Sequence, residues 1–420
     1  MSKNRGWTVT FSGTGINLAL GILYTWSVFK AAISVSITKG GPGAFNWDPA
    51  SLNDPYAICC LVFAFATVLA GRIQDKFGPR VTAFMGGILV SIGLILISRT
   101  TSYAVWVIGF GLLAGTGIGF GYAAATPPAL KWFPPQKTGL IAGLVVSGFG
   151  LASVYIAPLS QYLLRVWGIQ SSMLFFGSAF LVVVCGLSMF LVNPPAGYVP
   201  QAVAPQAGQQ AAAPKPQSDA KPSELIKTGP FYLIWFIFFI GAGAGLMVIG
   251  FVAGMAQKSM GDMAFIAVAI LAVGNAGGRI IAGLISDKIG RRLTLIIMLL
   301  FQAALMLIAI PIVGAQKASP ILVVLIATFM GFCYGTNLSL LPSLTKDNWG
   351  LKNFGINYGL VFTAWGVGGF VMGRLSQMLI AKTGSYTSSF LVAAVLLVIG
   401  AGLSVLMKGK KSAPQAVAQK

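Results

Sequence analysis

Long apolar runs recur along nearly the whole chain, and this recurrence constrains the fold more than any other feature of the sequence. A run of about twenty apolar residues is long enough to cross a bilayer as a helix. Because lipid offers no hydrogen-bond partners to the backbone, such runs must satisfy their own N–H and C=O groups, as a helix does. The composition agrees, since 56% of the residues are hydrophobic and only 9% are charged. The sequence therefore predicts an all-α polytopic membrane protein.

The apolar runs predict twelve transmembrane helices joined mostly by short turns. We place them at residues 8–30, 53–74, 81–99, 104–130, 138–164, 171–193, 230–257, 263–286, 292–314, 319–343, 354–380 and 385–407. Nineteen Lys and Arg residues fall on the side of the termini and seven on the opposite side. By the positive-inside rule, both termini are predicted to be cytoplasmic. We expect a multi-pass protein of the cytoplasmic (inner) membrane, without a removable signal peptide.

A polar stretch and an internal repeat divide the chain into two halves. Residues 194–229 are rich in Pro, Ala and Gln, a composition typical of a flexible linker. The sequence GRIQDKFGPR at 71–80 recurs as GLISDKIGRR at 283–292, and Tyr122 and Tyr334 share that offset of 212 residues (283 − 71 and 334 − 122). We predict two pseudo-symmetric six-helix bundles. The predicted parts are an N-terminal bundle, a cytoplasmic linker, a C-terminal bundle and a cytoplasmic tail, at 1–193, 194–229, 230–408 and 409–420.

Two arginines remain inside predicted spans, and one of them, Arg374, lies near the outer end of its helix, where its side chain can reach the membrane surface. The other, Arg279, lies deeper. It precedes Asp287, at the end of that span, by eight residues, which is roughly 12 Å along a helix. An arginine well inside the hydrocarbon is unfavourable by about 2.5 to 3.5 kcal/mol, and such charges usually mark a substrate or ion path. The acidic residues all lie in loops or at helix ends: Asp48, Asp54, Asp75, Asp219, Glu224, Asp262, Asp287 and Asp347. We therefore predict that Arg279 binds the carboxylate of a substrate.

Further polar and aromatic side chains are predicted to complete the site. Asn275 lies one helical turn before Arg279, on the same face. Phenolic hydroxyls can orient a small carboxylate while their rings exclude water, although each aromatic residue also fits ordinary packing between helices. The predicted substrate-binding residues are Arg279, Asn275, Tyr122, Tyr334, Tyr24, Asn357 and Tyr358.

The residue inventory excludes several classes of function. The chain has no histidine and no CxxC pair, so we predict no metal site and no cofactor. Without histidine or a buried pair of acids we predict no catalytic residues, and the protein is not expected to be an enzyme. The net charge of +20 is spread thinly over alternate loops, which argues against a nucleic-acid partner. The expected partners are a small organic monocarboxylate, protons and membrane lipid, and we expect a monomer.

The repeated element G-x-x-x-D-K-x-G-x-R resembles the signature loop of the major facilitator superfamily. The resemblance covers essentially the whole chain and implies a twelve-helix transporter fold. In that family the loop aspartate caps and pairs with basic residues across the bundle and helps to control opening. The resemblance therefore implies a gating role for Asp75, Arg80, Asp287 and Arg291.

Within the superfamily, the stretch KWFPPQKTGLIAG at 131–143 looks like a signature shared by oxalate:formate antiporters and monocarboxylate transporters. The resemblance makes Arg279 the equivalent of the arginine in the eighth span of the antiporter. The antiporter binds a dianion with a second cation, a lysine in its eleventh span, and Val361 aligns with that lysine. One buried cation instead of two favours a monoanion.

Animal monocarboxylate transporters carry two further groups that the resemblance connects with proton coupling. Asn275 stands where they have an aspartate, and Val28 lies near the position of their lysine, with Lys30 two residues on. Coupling is therefore predicted through Lys30 or through the substrate's own proton, with uniport or exchange as alternatives. We predict a transporter of small monocarboxylates such as lactate or pyruvate that works by alternating access. The alternatives are an oxalate- or formate-type exchanger and a transceptor that senses a carboxylate.

Overall fold

The computed structural model describes residues 5–48, 51–195, 197–198, 200, 219–260, 264–315 and 319–407, in which the regular elements are all helices. They are α1 Gly6–Leu20, α2 Trp26–Lys39, α3 Asp54–Phe77, α4 Pro79–Ile97, α5 Tyr103–Trp106, α6 Gly115–Lys131, α7 Thr138–Ser188, α8 Pro222–Leu225, α9 Gly229–Met260, α10 Ala264–Ile289, α11 Arg291–Gly314, α12 Pro320–Trp349, α13 Phe354–Thr383 and α14 Thr387–Val405. A 3₁₀ turn at Gly21–Thr25 joins α1 to α2, and a π-helical segment at Val107–Ala114 joins α5 to α6.

Eleven helical stretches of the described chain are long and apolar enough to cross a membrane, and one of them contains two crossings. Helix α7 has 51 residues, but Gly168 within it adopts φ 74° and ψ −178°, a conformation that favours glycine. The arm after Gly168 runs antiparallel to α4, with Gly177 beside Ile95 and Cys185 beside Gly87. The chain therefore reverses at Gly168, and the eleven stretches provide the twelve predicted crossings.

The helices form two halves that meet mainly along two helix pairs. Helices α1–α7 pack on one another, as do α9–α14, and the halves meet mainly where α7 packs on α10 and α3 on α13, with smaller contacts of α7 with α12 and of α6 with α13. Glycines bring the backbones together at both places. A Cβ atom on Gly283 would meet the carbonyl oxygen of Gly139, and a Cβ atom on Gly71 would meet that of Gly355. The two close approaches involve the repeated sequence element in each half.

The predicted domain boundaries stay a prediction. Residues 201–218 of the predicted linker and the predicted tail at 409–420 lie outside the described residues. The last residues of the linker are described, and they include the short helix α8 immediately before α9.

Some helix ends differ from the predicted spans. The first span was predicted to end at Lys30, but α2 continues to Lys39 and ends at Gly40, which has a positive φ of 62°. The reason is that a lysine is unfavourable in lipid but does not interrupt a helix that continues into water. The sixth span was predicted to reach residue 193, whereas α7 ends at Ser188.

Candidate substrate-binding site

Arg279 lies on α10 at the contact between the two halves, with no exposed surface. Its Nε donates to Oδ1 of Asn275 one turn earlier, at 3.0 Å, and its Nη1 donates to the backbone carbonyl of Val146 on α7. Gly143 and Gly150 of α7 leave room for this approach, because a side chain at either position would meet the arginine or the adjoining backbone of α10. Arg279 of the C-terminal half thus forms a hydrogen bond with the backbone of the N-terminal half.

The charge of Arg279 is not neutralised by any described residue. The ion pairs found within the described ranges join Arg291 to Asp287 and to Asp347, and neither of them includes Arg279. The Nη2 atom of Arg279 is buried and has no hydrogen-bond partner among the described residues. A buried cation with an unused donor is unfavourable on its own, and a ligand carboxylate supplies both the missing charge and the missing acceptor.

Four tyrosines surround Arg279 and form two hydrogen-bonded pairs between the halves. The hydroxyl of Tyr24 lies 2.7 Å from that of Tyr334, and Tyr334 also accepts a bond of 2.8 Å from Nε1 of Trp365. The hydroxyls of Tyr122 and Tyr358 are 3.2 Å apart. The Arg279 charge acts electrostatically on all four phenol groups. The structure therefore brings together six of the seven predicted binding residues, Arg279, Asn275, Tyr24, Tyr122, Tyr334 and Tyr358.

The two tyrosine pairs lie at different depths. Tyr358 follows the first turn of α13 and is three residues, roughly 5 Å, beyond Gly355. Trp365, which bonds the other pair, is ten residues, roughly 15 Å, beyond Gly355, and Arg279 is roughly 12 Å from Asp287 at the same end of the molecule. Arg279 therefore lies between a Tyr122–Tyr358 pair on one side and a Tyr24–Tyr334 pair on the other.

Phenylalanine rings form the walls of the site. Phe63 packs on Tyr122 at 5.4 Å between ring centroids and on Trp365 at 5.1 Å, and Phe149 packs on Tyr24 at 5.0 Å. These rings exclude water and favour a compact, mostly apolar substrate body. Phe63 and Phe149 were not among the predicted residues, because nothing in a single sequence separates them from the other phenylalanines, of which the chain has 28 in all.

Asn357 is the predicted binding residue that the structure places elsewhere. Its Nδ2 donates to the carbonyl of Ala220, at the end of the linker, with a distance of 3.0 Å. Asn357 and Tyr358 are neighbours in sequence but project from α13 in directions about 100° apart, as consecutive helical residues do. Only Tyr358 faces the arginine, so Asn357 is not part of the site proposed below.

At one end of the molecule, each half caps a helix of the other. Asp287 accepts hydrogen bonds from the N–H groups of Gly139 and Leu140, the second and third residues of α7, at 3.0 Å each. Asp75 accepts from the second and third residues of α13 at 3.1 and 3.0 Å. Helix N-termini leave these N–H groups without internal partners and favour negative charge. We call this end, closed by both aspartates, the capped end.

The basic residues predicted to act with these aspartates differ between the halves. Arg291 forms an ion pair of 2.6 Å with Asp287, four residues earlier, and lies 3.5 Å from Asp347. Arg80 instead donates to the carbonyl of Met189 at 2.8 Å and makes no ion pair with Asp75 in the described structure. The position four residues after Asp75 is Pro79, so the arginine comes one residue later and points away from the aspartate. Arg80 therefore does not stand to Asp75 as Arg291 stands to Asp287, and the gating role of these four residues stays a prediction.

The fold agrees with comparisons with known proteins. The sequence model of the family described as "Major Facilitator Superfamily" matches residues 7–373 of this chain, with a second match over residues 247–420. The chain belongs to the major facilitator superfamily. A solved member of this superfamily, described as the transporter FucP in the outward conformation, aligns with a TM-score of 0.63 at 15% identity and covers 93% of this chain and 97% of that one. The predicted fold class is confirmed.

Several curated members of the superfamily are similar along most of the chain. An oxalate:formate antiporter of Oxalobacter formigenes is 26% identical over 407 residues, covering 94% of this chain and 89% of the antiporter. Monocarboxylate transporter 13 of Rattus norvegicus is 26% identical over 406 residues, covering 96% of this chain and 89% of that protein. An uncharacterised MFS-type transporter of Escherichia coli (strain K12) is 27% identical over 371 residues, covering 86% and 85% of the two chains.

As a major facilitator transporter, the chain is a multi-pass membrane protein and not an enzyme. The geometry suits that activity. Arg279 lies on the contact between the halves, and the hydrogen bonds that cross between described residues of the two halves lie near it or at the capped end. A substrate that competes for these bonds can change how the halves are held together.

Proposed function

We propose that this transporter carries small monocarboxylates of the lactate and pyruvate class across the cytoplasmic membrane by alternating access. The observation that carries the proposal is the Nη2 donor of Arg279, which is buried in an aromatic site between the halves and has neither a counter-ion nor a hydrogen-bond partner among the described residues. The relatives named for oxalate, formate and monocarboxylates support a carboxylate as substrate. We infer that the capped end faces the cytoplasm, together with both termini, from the distribution of Lys and Arg over the loops.

A single buried cation favours a monoanion over a dianion. Val361, at the position that aligns with the second cation of the oxalate:formate antiporter, is fully buried on α13, next to Phe362 of the aromatic wall. A second carboxylate placed against such an apolar surface would lose its hydration without gaining a partner. The site also contains phenol, indole and guanidinium donors but no described carboxylate that could accept bonds from an ammonium group, which disfavours amino acids.

In the proposed mechanism, the substrate carboxylate takes the bonds that Arg279 and the tyrosines now make within the protein. The carboxylate accepts from Nη2 and competes with the carbonyl of Val146 for Nη1. Once the arginine is neutralised by the ligand, the halves can close around it at lower electrostatic cost, and a loaded carrier changes conformation more readily than an empty one. The two tyrosine pairs then open in turn, one toward each side of the membrane.

Proton symport is the proposed coupling, with the substrate or Lys30 as the proton carrier. Lys30 is exposed on α2, and no described acid lies within ion-pair distance of Arg279. The second candidate is exchange of one carboxylate for another, which the similarity to an antiporter favours.

The proposal is tested by uptake of labelled L-lactate into proteoliposomes at fixed membrane potential, with and without an inward proton gradient. Symport predicts uptake that the gradient stimulates and that pyruvate inhibits far more than oxalate does. Uptake that ignores the gradient but requires internal carboxylate would identify an exchanger. Saturable binding without uptake or counterflow would identify a sensor, and neither binding nor transport of any of these acids would refute the substrate class.

Replacing Tyr24 by phenylalanine should weaken substrate recognition without disturbing the fold. The change removes the hydroxyl that bonds Tyr334 but keeps the ring that packs on Phe149. We expect the substrate concentration for half-maximal uptake to rise about fivefold, since one hydrogen bond is worth about 1 kcal/mol. Tyr155→Phe is the matched control, because the Tyr155 hydroxyl bonds only the carbonyl of Leu18 outside the site. Equal uptake curves for both variants would show that the Tyr24 hydroxyl plays no part in recognition.

A further inference from the structure

The two ends of the central linker are docked, each on a turn that leads into one of the capped helices. The turn before α7 follows Trp132, and the turn before α13 follows Trp349; both tryptophans are at least 96% buried. Asp287 and Asp75 accept hydrogen bonds from N–H groups at the starts of α7 and α13, and these turns determine where those N–H groups lie. Neither the transport proposal nor the family match assigns a role to the linker.

The beginning of the linker, together with Val192 just before it, holds the turn before α7. Trp132 donates from Nε1 to the carbonyl of Val192 at 2.9 Å. The Tyr198 ring packs edge-on against the Trp132 ring with 4.9 Å between centroids, and its hydroxyl lies 3.5 Å from the Trp132 carbonyl oxygen. Val192 and Tyr198 form what we call the first strap.

The end of the linker holds the turn before α13 with more hydrogen bonds. The carboxylate of Asp219 accepts from the N–H groups of Leu351 and Lys352, both at 3.1 Å. The N–H of Ala220 donates to the carbonyl of Trp349 at 3.1 Å. The Ala220 carbonyl accepts from the side-chain amides of the first residue before α13 and of its fourth residue, at 3.1 and 3.0 Å. Asp219 and Ala220 form the second strap.

The straps act on groups that a helix boundary leaves unpaired. The carbonyls of Trp132 and Trp349 lie at the C-terminal ends of α6 and α12, where no further turn of helix accepts their bonds. The α12–α13 turn begins at Gly350, so without a strap it would be free to take many conformations, each of which moves the start of α13. The α6–α7 turn is already restricted by Pro134 and Pro135, and the first strap further fixes its position on Trp132. A turn that is already ordered offers its helix N-terminus to the capping aspartate at lower entropic cost.

We propose that the two straps hold the α6–α7 and α12–α13 turns in the position from which α7 and α13 receive their caps, and so favour closure of the capped end. Each strap binds its own half, so it stays in place when the caps separate and keeps the turn ready for reclosure. The linker is then a conformational element of the transport cycle as well as a tether. The inference does not depend on which substrate is carried.

Closure of the capped end can be measured with a cysteine at Gln74, in a variant whose four native cysteines are replaced by alanine. Gln74 is 1% exposed, and its amide lies against Gly355 at the start of α13. A Gln74→Cys thiol is therefore shielded while the end is capped and reacts with a maleimide when it opens. The reaction rate in membranes reports the open fraction without any substrate.

Asp219→Ala should raise the alkylation rate of Gln74→Cys about fivefold, because it removes the acceptor of two bonds that are partly exposed to solvent. Tyr198→Ala should raise it in the same direction through the other strap. Asp219→Asn keeps the Oδ1 acceptor and should match the parent. Parental rates in both Asp219→Ala and Tyr198→Ala would overturn the proposal.

A second variant keeps the test decisive if Asp219→Ala fails to fold. Asn353 precedes α13 and makes no side-chain bond to its own helix, so Asn353→Ala removes one bond to the second strap and little else. A faster reaction in Asn353→Ala, with an unchanged melting temperature, supports the strap. An unchanged rate in a folded Asn353→Ala protein, together with failure of Asp219→Ala to fold, would assign the linker end to folding and overturn the gating role. Absence of lactate transport would leave all of these results unaffected.

Discussion

Arg279→Ala should reduce carboxylate uptake roughly thirtyfold to several thousandfold, because truncating one partner of a buried charge pair costs about 2 to 5 kcal/mol. The variant should nevertheless fold at least as stably as the parent when no substrate is present. The parent buries a cation that has no described counter-ion, and removing it relieves that penalty. Uptake into proteoliposomes and thermal unfolding in detergent give the two readings.

Two further arginine variants sharpen this prediction. Arg279→Lys keeps the charge but loses the fork that bonds Asn275 and Val146 while leaving a donor for the ligand, so we expect intermediate uptake. Arg374→Ala should transport like the parent, because Arg374 is exposed and lies over the Phe370 ring, away from the site. Full uptake by Arg279→Lys would contradict recognition by the guanidinium fork. Full uptake by Arg279→Ala would place the substrate elsewhere.

Gly283→Ala should almost abolish transport by preventing closure of the capped end. The added Cβ atom would meet the backbone carbonyl of Gly139, which cannot move aside without shifting α7. Overpacking of this kind costs about 1 to 3 kcal/mol, and here it acts only in the closed state, so the population of the open state relative to the closed state should rise roughly fivefold to 150-fold. Alkylation of Gln74→Cys should accelerate by a similar factor.

The same helix provides the control for this variant. Gly277→Ala also adds one methyl group to α10, but no atom of the part of the chain that the structure describes lies within 4 Å of the position that its Cβ would take. We expect parental uptake and parental alkylation rates for Gly277→Ala. Gly71→Ala, at the corresponding contact with Gly355, should behave like Gly283→Ala. Parental transport by both Gly71→Ala and Gly283→Ala would show that close packing of these backbones is not needed for the transport cycle.

The sequence by itself determined the fold class and singled out the residue at the centre of the proposed site. Long apolar runs can only be satisfied in lipid as helices, so the number of crossings follows from their number and length. Arg279 stood out for the same reason, since a charge is conspicuous where the surrounding span is apolar and the acids all lie at the ends of spans. The repeat also singled out Asp75 and Asp287, because the same element with the same spacing can be seen in both halves of the sequence without any knowledge of how the halves pack.

Only the tertiary structure decided which residues of different helices meet. The pairing of Tyr24 with Tyr334 joins residues more than three hundred positions apart, and the phenylalanine wall has no local signal. The exact position of a residue along its helix also determined contacts that the sequence pattern did not predict. Arg80 comes one residue too late to reach Asp75 and bonds another partner. Asn357 bonds the end of the linker, whereas the next residue, Tyr358, faces the proposed site. A helix turns by about 100° per residue, so a shift of one position sends a side chain to another neighbour, and only the packed helices determine which neighbour is there.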